Sequence, residues 1–414
     1  MSKNNENKLV PRLRFPEFEN AGEWLEKKLK DVCEINPKVS QLPDIFVYID
    51  LESVDKGKLL QKKIINRVEA PSRAQRLLDE NDVIFQTVRP YQKNNYYFKK
   101  TDDYDYVAST GYAQLRAFES SMFLFQLIHT DSFVSKVLNK CSGSNYPAIN
   151  SSDLSKISVE IPNNPEEQQK IASCLSSLDE VITAESQKLE LYQQHKKGLL
   201  QNLFPQEGET VPKLRFKEFK ESGEWVEKTL GEICDVRDGT HDSPKYVSQG
   251  YPLVTSKNLM SNGMIDFINV DYLTEYDYNQ INKRSKVDVG DILFGMIGTI
   301  GNPVIVRTDG FAIKNVALIK SQGVLNQEFL VYQFKSDFIE KQFGRVNAGG
   351  ILKFIALGMI RNLDIFVPNL AEQQKIASCL SSIDDLINAQ RQKIELLKQH
   401  KKGLLQGLFP PINN

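Results

Sequence analysis

The chain has 414 residues, of which 41% are hydrophobic and 25% are charged. This composition excludes a disordered or fibrous chain and allows two or three domains with buried cores. No apolar run approaches the roughly 18–20 residues that cross a bilayer, and the N-terminal MSKNNENKLV lacks an apolar signal segment. We therefore expect a cytoplasmic protein. The 52 basic and 53 acidic residues exclude a uniformly basic surface, so a nucleic-acid site requires local concentration of positive charge.

The chain contains two pairs of internal repeats. Residues 10–35 align with 211–236 at 14 identical positions of 26, and residues 167–205 align with 372–410 at 29 of 39. A fixed self-similarity of this kind indicates a duplicated architecture. The order is therefore globular segment, helix, globular segment, helix.

Each copy of the second repeat predicts a long helix with an apolar seam. About 35 residues make a rod of roughly 50 Å, and we expect the two rods to pack on each other. An antiparallel arrangement would also bring the chain ends close together. Separate helices, each capping its own domain, are the alternative. The seam residues expected to bind a partner are Ile171, Leu175, Leu178, Ile182 and Leu189, and Ile376, Leu380, Ile383, Ile387 and Ile394, with Glu185, Lys196, Gln390 and Lys401 in polar slots.

The two globular segments share a mixed α/β pattern but differ in their loops. NDVIFQTVRPYQ (81–92) and GDILFGMIGTIG (290–301) both predict a turn followed by a buried strand. Each segment later contains a Gly- or Asn-bearing loop, CSGSNYPAIN or VNAGGILKF, and ends in an alternating strand before its helix. We infer that the nearly identical helices share one role, whereas the two globular segments recognise different targets.

Four motifs occur twice in this order: P-[RK]-L-R-F-x-x-F, G-E-W, E-Q-Q-K-I-A and H-K-K-G-L-L-Q-x-L-F-P. Together they resemble the specificity subunit of Type I restriction-modification systems. The resemblance implies an α/β protein with two globular mixed α/β target recognition domains in a tandem pseudo-two-fold repeat, separated by two long antiparallel coiled-coil helices. We predict target recognition domains at 1–161 and 206–367, and spacer helices at 162–205 and 368–414.

The resemblance also implies a division of labour. Each domain would read one half of a bipartite, asymmetric DNA site, and the helices would set the spacer. Two modification subunits would dock on the helices and methylate adenine at N6 with S-adenosylmethionine, and two restriction subunits would supply ATP- and Mg-dependent endonuclease activity. This chain would have no catalysis and no cofactor of its own. In agreement, the sequence has neither a G-x-x-x-x-G-K-[ST] motif nor an Asn/Asp-Pro-Pro-aromatic element.

Candidate DNA contacts in the first domain lie in a basic stretch. Residues 56–100 contain eleven basic and four acidic side chains, and TVRPYQKNNYYF (87–98) is rich in residues that read guanine or adenine in the major groove. A solvated strand and turn, with the tyrosines in the core, is the alternative. The candidates are Arg73, Arg89, Tyr91, Lys93, Asn94 and Asn95, followed by Ser144, Asn145 and Tyr146 in the later loop.

Candidates in the second domain are fewer, and His241 has a turn-stabilising role as its alternative. The five cysteines and four histidines form no pattern typical of a zinc site, so we predict no metal. A scaffold that binds proteins or glycans is the competing function, and an unrecognised hydrolase is the third hypothesis. The candidate DNA contacts are Thr240, His241, Lys257, Asn258, Arg345, Asn347 and Lys353.

Overall fold

The computed structural model describes residues 9–39, 41–143, 145–242, 244–298, 300–321, 323, 325–346 and 354–411, except for the side chains of 345 and 346. Its contacts divide the chain into two compact units. Unit 1 comprises Met1–Ser186 and Gln392–Asn414, and unit 2 comprises Gln187–Arg391. Each unit therefore holds one globular domain, the start of the long helix that follows it and the end of the other long helix. The predicted four-segment boundaries stay a prediction.

Unit 1 is built on two four-stranded sheets, ordered β6-β3-β10-β7 and β2-β11-β8-β9. Only β3 and β10 pair in parallel; the other neighbours are antiparallel. Strands β1 to β12 are Leu25–Lys28, Cys33–Ile35, Ile45–Ile49, Val54–Asp55, Lys58–Leu59, Lys63–Asn66, Ala74–Leu77, Val83–Gln86, Tyr96–Tyr97, Asp105–Ser109, Tyr112–Ala117 and Ser158–Ile161. Helices α1 to α4 are Ser121–Leu127, Asp131–Leu138, Ser151–Leu154 and the long Pro165–Asn202.

Unit 2 repeats this plan with sheets ordered β15-β17-β16-β20 and β14-β21-β18-β19. Again one sheet is antiparallel throughout, and the other contains one parallel pair, β16 with β20. Strands β13 to β22 are Val226–Thr229, Val236–Asp238, Tyr246–Val247, Tyr251–Thr255, Asp271–Leu273, Ile292–Gly295, Gly301–Ile305, Ala312–Lys314, Val316–Ile319 and Asp364–Val367. Helices α5 to α10 are Leu230–Ile233, Glu275–Ser285, Gln327–Gln333, Asp337–Val346, Leu357–Arg361 and the long Leu370–Leu408.

A buried ion pair joins the two repeated motifs within unit 1. Arg14 donates from Nε and NH2 to the two carboxylate oxygens of Glu167 at 2.8 and 2.7 Å, and Trp24 Nε1 donates to the same carboxylate at 3.3 Å. Arg14 also donates to the Gly22 carbonyl at 2.6 Å. The Glu167 side chain is only 1% exposed, so its charge depends on these donors. We call Arg14, Trp24 and Glu167 the unit 1 clasp.

Unit 2 contains the same clasp at the repeat-related positions. Arg215 donates to both oxygens of Glu372 at 2.7 and 2.8 Å, and Trp225 Nε1 donates to it at 3.3 Å. The hydrogen bond to Glu372 raises the pKa of Arg215. The clasp explains the repetition of the motifs L-R-F, G-E-W and E-Q-Q-K, because each motif supplies one member.

The first turns of both long helices belong to the globular cores. Ile171 and Leu175 are buried with Trp24 in unit 1, together with Leu408 and Phe409 from the end of α10. In unit 2 the buried cluster contains the repeat-related Ile376 and Leu380, and Leu203 and Phe204, which directly follow α4. These seam positions therefore stabilise the domains themselves. The alternative, in which each helix caps its own domain, predicted this for them.

The helices also pair along their polar slots, and they run antiparallel within each unit. In unit 1, Lys401 Nζ donates to Asp179 Oδ2 at 2.6 Å, and Lys393 bonds to Glu185. In unit 2, Lys196 Nζ donates to Asp384 Oδ1 at 2.6 Å. The lysines in the seam are therefore partners of aspartates on the opposite helix. The pairing and its direction agree with the expectation from the heptads.

The first described residues lie beside the end of α10, as expected from an antiparallel pair. Leu13 donates its backbone N–H to the Gly407 carbonyl at 2.8 Å. Trp24 contacts Phe409 edge to face, with 5.7 Å between ring centroids. The two ends of the described chain therefore share one core in unit 1.

Candidate nucleic-acid interface

Two predicted loops of the first domain meet in unit 1. The loop after β8 and the loop before α3 are joined by a β-bridge between Val88 and Ala148. Arg89 N donates to the Pro147 carbonyl at 2.8 Å, and Ile149 N donates to the Thr87 carbonyl at 3.0 Å. The sequence placed these loops about 55 residues apart, and the fold makes them one surface, which we call the unit 1 loop pair (residues 87–95, 142–143 and 145–148).

Arg89 and two tyrosines project from this loop pair. The guanidinium carbon of Arg89 lies 4.3 Å from the centroid of the Tyr146 ring, within cation–π distance. Tyr146 is 63% exposed and Tyr91 is 50% exposed, so neither ring is a core residue. Asn145, beside Tyr146, is also exposed. Of the three tyrosines in 87–98, the alternative of a core position is wrong for Tyr91, whereas Tyr96 and Tyr97 are partly buried against the hydrophobic clusters of unit 1.

Other candidates in the same loop are occupied by internal bonds. Lys93 Nζ donates to the His129 carbonyl and to Asp131 Oδ1, both at 2.8 Å. Asn95 is fully buried, and its Oδ1 accepts from Gln86 N at 2.9 Å. In this conformation Asn95 cannot reach a base, so its predicted DNA contact is corrected to a role in shaping the loop.

Asn94 and Arg73 complete the predictions for this domain. Asn94 is half-buried, and its Oδ1 accepts from Lys56 N at 3.1 Å, which ties the loop to a neighbouring turn. Arg73 is exposed, and only its backbone carbonyl has a described hydrogen bond, from Thr110 N at 2.8 Å. Arg73 is therefore available for a phosphate contact.

The basic stretch is less positive than its own count suggests, because acids outside it neutralise five of its members. The ion pairs are Lys62 with Asp102, Lys63 with Asp50, Arg67 with Asp44, Lys93 with Asp131 and Lys100 with Asp105. The count over 56–100 missed these acids because each lies outside that range. Among the described contacts, six basic residues of the stretch form no ion pair and supply the remaining local charge: Lys56, Lys58, Arg73, Arg76, Arg89 and Lys99.

Sequence reasoning did not single out His129, which the structure places between the domain and the long helices of unit 1. Its Nδ1 lies 2.6 Å from the Phe125 carbonyl, and Asn95 Nδ2 lies 3.5 Å from its Nε2. Burial lowers the pKa of His129 to about 4. It lines a cavity of about 300 Å³ with Lys93, Asp179 and Lys401. A lone histidine in LIHTD carries no pattern that could have predicted this environment.

In unit 2, His241 is held on both sides of its ring. Nδ1 lies 2.8 Å from Asn315 Oδ1, and Nε2 lies 2.9 Å from Asp238 Oδ2. These bonds, to Asn315 first and then to Asp238, raise the pKa of His241. Asp238 also accepts from Arg284. Because both ring nitrogens are engaged, the geometry favours the turn-stabilising role over a base contact.

The neighbouring candidates of unit 2 divide into exposed and structural residues. Gly239 precedes Thr240, and a Cβ on Gly239 would lie 2.3 Å from the Ile313 carbonyl oxygen, so only glycine fits. Thr240 N donates to that carbonyl at 3.0 Å. Lys257 is exposed, whereas the buried Asn258 caps its own turn by accepting from Thr255 N at 2.9 Å. Lys257 is therefore the exposed cation of this group, and Asn258 is structural.

Unit 2 also contains a counterpart of the unit 1 loop pair. Ile297 forms a β-bridge with Phe354, and Ile355 N donates to the Met296 carbonyl at 2.8 Å. Ile297 is 42% exposed and Phe354 is 61% exposed, so apolar side chains line this surface. Of the remaining predicted contacts, Ser144, Asn347, Lys353 and the Arg345 side chain lie outside the described residues.

Metal and thiol chemistry find no support in the part of the chain that the structure describes. No group of three or more His, Cys, Asp or Glu residues there could hold a metal ion. All five cysteines are free thiols. Burial raises the pKa of Cys33 to about 12 and that of Cys234 to about 11. Within the same described residues, no helix combines the length and apolarity needed to span a membrane.

The duplicated plan matches a known family. The sequence pattern of the Type I restriction modification DNA specificity domain matches residues 21–194 and again residues 222–399. The chain belongs to this family. The resemblance drawn from the repeated motifs is thereby confirmed.

Similar proteins of known name or structure come from Type I restriction-modification systems. The Type I restriction enzyme MjaVIII specificity subunit of Methanocaldococcus jannaschii is 25% identical over 291 residues, which cover 66% of this chain and 65% of that protein. The chain thus spans just under two thirds of that relative's length. A chain from a structural study of complex assembly and conformational transition of the type I R-M system is 23% identical, with a TM-score of 0.60 over 94% of this chain and 97% of that one.

A second solved structure supports the fold at lower identity. It is the Type-I restriction-modification system S subunit from M. genitalium, 15% identical, with a TM-score of 0.59 over 98% of this chain and 100% of that chain. The predicted fold class, a duplicated mixed α/β protein with long helices, is confirmed.

Proposed function

We propose that this chain is the cytoplasmic DNA sequence-specificity subunit of a Type I restriction-modification complex and has no catalytic activity of its own. The observation that carries the proposal is the duplicated loop pair. Each unit uses the same β-bridge to hold two loops together, Val88 with Ala148 in unit 1 and Ile297 with Phe354 in unit 2. The frame is common and the exposed side chains differ, which suits two domains that read different sequences.

In this proposal each loop pair reads one half of a bipartite, asymmetric site in double-stranded DNA. Phosphate contacts from exposed cations such as Arg73 and Lys257 would supply affinity, and contacts to base edges would supply specificity. The near-neutral overall charge fits this arrangement because positive charge is needed only around the loops.

The long helices would dock two modification subunits, and two restriction subunits would join them. Several predicted seam residues are buried in the domain cores, so the partner would contact other helix positions. Four apolar side chains are exposed at repeat-related positions, which supports two equivalent docking sites: Val181 and Leu386, and Leu191 and Leu396. S-adenosylmethionine would be held by the modification subunit, and ATP and Mg by the restriction subunit.

The test is co-expression of this chain with its modification subunit in a methylation-free host, followed by single-molecule sequencing of N6-methyladenine. We expect a two-part asymmetric motif with a fixed gap that appears only when this chain is present. Methylation that does not depend on this chain, despite a folded complex, would refute the proposal and favour a protein scaffold. A host expressing only the modification subunit is the control.

A helix deletion tests whether the helices set the spacer. Removing one heptad from each helix, residues 184–190 and 389–395, keeps the seam in phase and preserves the pairs Lys401–Asp179 and Lys196–Asp384. Each helix shortens by about 10 Å, the length of about three base pairs at 3.4 Å each. We expect unchanged half-sites separated by a shorter gap.

The control for this deletion is Lys393→Gln, which removes the Glu185 ion pair that the deletion also removes but keeps the helix length. It should leave the spacer unchanged. An unaltered spacer in the deletion variant would show that the helices are not the ruler.

A further inference from the structure

We infer that Arg89 reads a guanine in the half-site recognised by unit 1 and that Tyr146 positions its guanidinium group for this contact. The inference rests on the proposed function, because it assigns a base and two residue roles to the loop pair described above. It is carried by the backbone of Arg89, by its unpartnered donors and by the corresponding position of unit 2.

The backbone at Arg89 adopts a conformation that side chains rarely tolerate. Its φ is +54° and its ψ is +55°, in the left-handed region, and Pro90 follows it at the start of a short 3-10 turn. Non-glycine residues occupy this region at a cost, and such residues concentrate at functional sites. The bond from Arg89 N to the Pro147 carbonyl at 2.8 Å holds the conformation in place.

The corresponding residue of unit 2 shows what the backbone alone would prefer. Val88 and Ile297 form equivalent β-bridges, so the residue after each, Arg89 or Gly298, occupies the same position. Gly298 has a φ of +75°, and a Cβ there would meet no atom within 4 Å. The loop geometry therefore favours glycine, and unit 1 carries an arginine despite the strain. This contrast indicates that the arginine side chain has a role of its own.

The guanidinium group of Arg89 contacts a tyrosine ring, but its N–H donors have no described hydrogen-bond partner in the protein. Its Cζ lies over the Tyr146 ring, 4.3 Å from the centroid, and its Nε is buried without a hydrogen-bond partner. The terminal amino groups of Arg89 have no described partner either, and they are not among the buried unpaired atoms. The two terminal amino groups therefore remain without a described protein partner, on a half-buried side chain whose guanidinium group lies against the tyrosine ring.

A pair of parallel N–H donors matches the O6 and N7 acceptors of guanine in the major groove, the commonest specific contact of arginine. A phosphate would accept from an arginine in many orientations, so it would not require a fixed plane or a strained backbone. A flexible lysine could meet that need, and Lys56 and Lys58, which form no described ion pair, line a cavity together with Lys93 of the same loop. The restricted orientation of the guanidinium group therefore favours a contact with a base over a contact with the DNA phosphate backbone.

Tyr146 is a positioning residue in this scheme. It comes from the other loop of the pair, and the β-bridge between Val88 and Ala148 fixes its distance from Arg89. Its hydroxyl has no described bond, so the ring face, rather than the hydroxyl, supplies the contact with arginine. Phenylalanine should therefore replace it, and alanine should not.

The experiment compares Arg89→Gly, Arg89→Lys, Tyr146→Phe and Tyr146→Ala in the complex with the modification subunit. A DNA library with a randomised unit 1 half-site and a constant second half-site is methylated in vitro and sequenced. Arg89→Gly is the central variant because glycine suits the backbone, so the chain should stay folded, which circular dichroism and thermal unfolding check. We expect one guanine preference to fall by roughly 5- to 150-fold, the range of a bidentate contact.

Three further results complete the test. Arg89→Lys should lose the same preference although it keeps the charge, Tyr146→Phe should retain it, and Tyr146→Ala should weaken it at the same base. A uniform fall in methylation with an unchanged motif, and a salt dependence reduced by about one phosphate contact, would overturn the base assignment. An unchanged motif and unchanged rate in Arg89→Gly would overturn the inference completely. If the wild-type complex shows no sequence preference, it is the proposed function that fails.

Discussion

The clasp of each unit offers a sharp test, because the chain carries two copies of it. We consider the substitutions Glu167→Gln and Glu372→Gln. Each replaces a carboxylate that accepts three hydrogen bonds and is at most 1% exposed. Each leaves a guanidinium group that is itself less than a tenth exposed, Arg14 or Arg215, without its counter-charge.

Removing one partner of a buried ion pair costs about 3–5 kcal/mol. At about 1.4 kcal/mol for each factor of ten, this corresponds to a roughly 140- to 3700-fold increase in the population of the opened state. The effect should be local to the unit that holds the altered clasp. Glu167→Gln should destabilise unit 1, and Glu372→Gln should destabilise unit 2.

Hydrogen–deuterium exchange followed by mass spectrometry separates these outcomes, because it reports opening for each peptide. Glu167→Gln should raise exchange in strands β1 and β12 of unit 1 and leave β13 and β22 of unit 2 unchanged, and the second variant should do the reverse. Glu17→Gln is the control, since it removes an exposed ion pair with Lys170 and should leave exchange unchanged. Equal exchange in both units, or no increase in either, would refute the argument that the clasp stabilises its own unit.

Three further predictions follow from the charged groups of the units. Burial lowers the folded-state pKa of His129 to about 4, so the unfolded chain binds a proton at this histidine first as pH falls below about 6.5, and the free energy of unfolding should decrease by up to about 3 kcal/mol between pH 6.5 and 4. The urea midpoints of the wild type and His129→Asn at pH 7 and pH 5 check this. Midpoints that shift equally with pH in both proteins would contradict it. His241 has a raised pKa, so the stabilisation from its bonds should be present below pH 6.5 and lost as pH rises through its folded-state pKa. An NMR titration should place the pKa of His241 above 6.5 in the wild type and at a lower value in Asp238→Asn. A wild-type pKa at or below 6.5 would refute this prediction. The double exchange Asp179→Lys with Lys401→Asp should recover most of the stability that Lys401→Ala loses, about 1 kcal/mol or less, as measured by denaturant midpoints; no recovery would show that the pair does not act through its charges.

The sequence was sufficient to predict the duplicated frame because the frame depends on patterns that recur. The heptad seam and the repeated motifs indicated two paired helices, and their antiparallel direction is seen in the Lys401–Asp179 and Lys196–Asp384 bonds. The function of Glu167 in the clasp could not be predicted from spacing. An E-Q-Q-K motif at the start of a helix reads as a solvated first turn, and only the fold places it against Arg14 and Trp24.

The candidate site was predictable only at the level of loops. Both loops of unit 1 were identified, yet their side chains divide into those without a described hydrogen bond, such as the half-buried Arg89 and the exposed Tyr146, and internally bonded ones such as Asn95 and Lys93. This division depends on tertiary contacts: the buried amide of Asn95 caps a strand end, and Lys93 pairs with Asp131 from a distant helix. A single sequence contains both kinds of residue in one polar run, and composition does not separate them.

Arg89 and Gly298 occupy equivalent positions in the loop pairs of the two units. The β-bridges fix the same left-handed backbone at both positions, although one carries a long cationic side chain and the other carries none. The loop conformation is therefore imposed by the frame, not by the residue at the tip. Since the β-bridges hold this backbone conformation whichever residue occupies the position, a substitution there changes what the loop contacts and leaves the position of the loop unchanged. A duplicated protein built in this way can keep its helices and clasps nearly identical while its two loop pairs diverge.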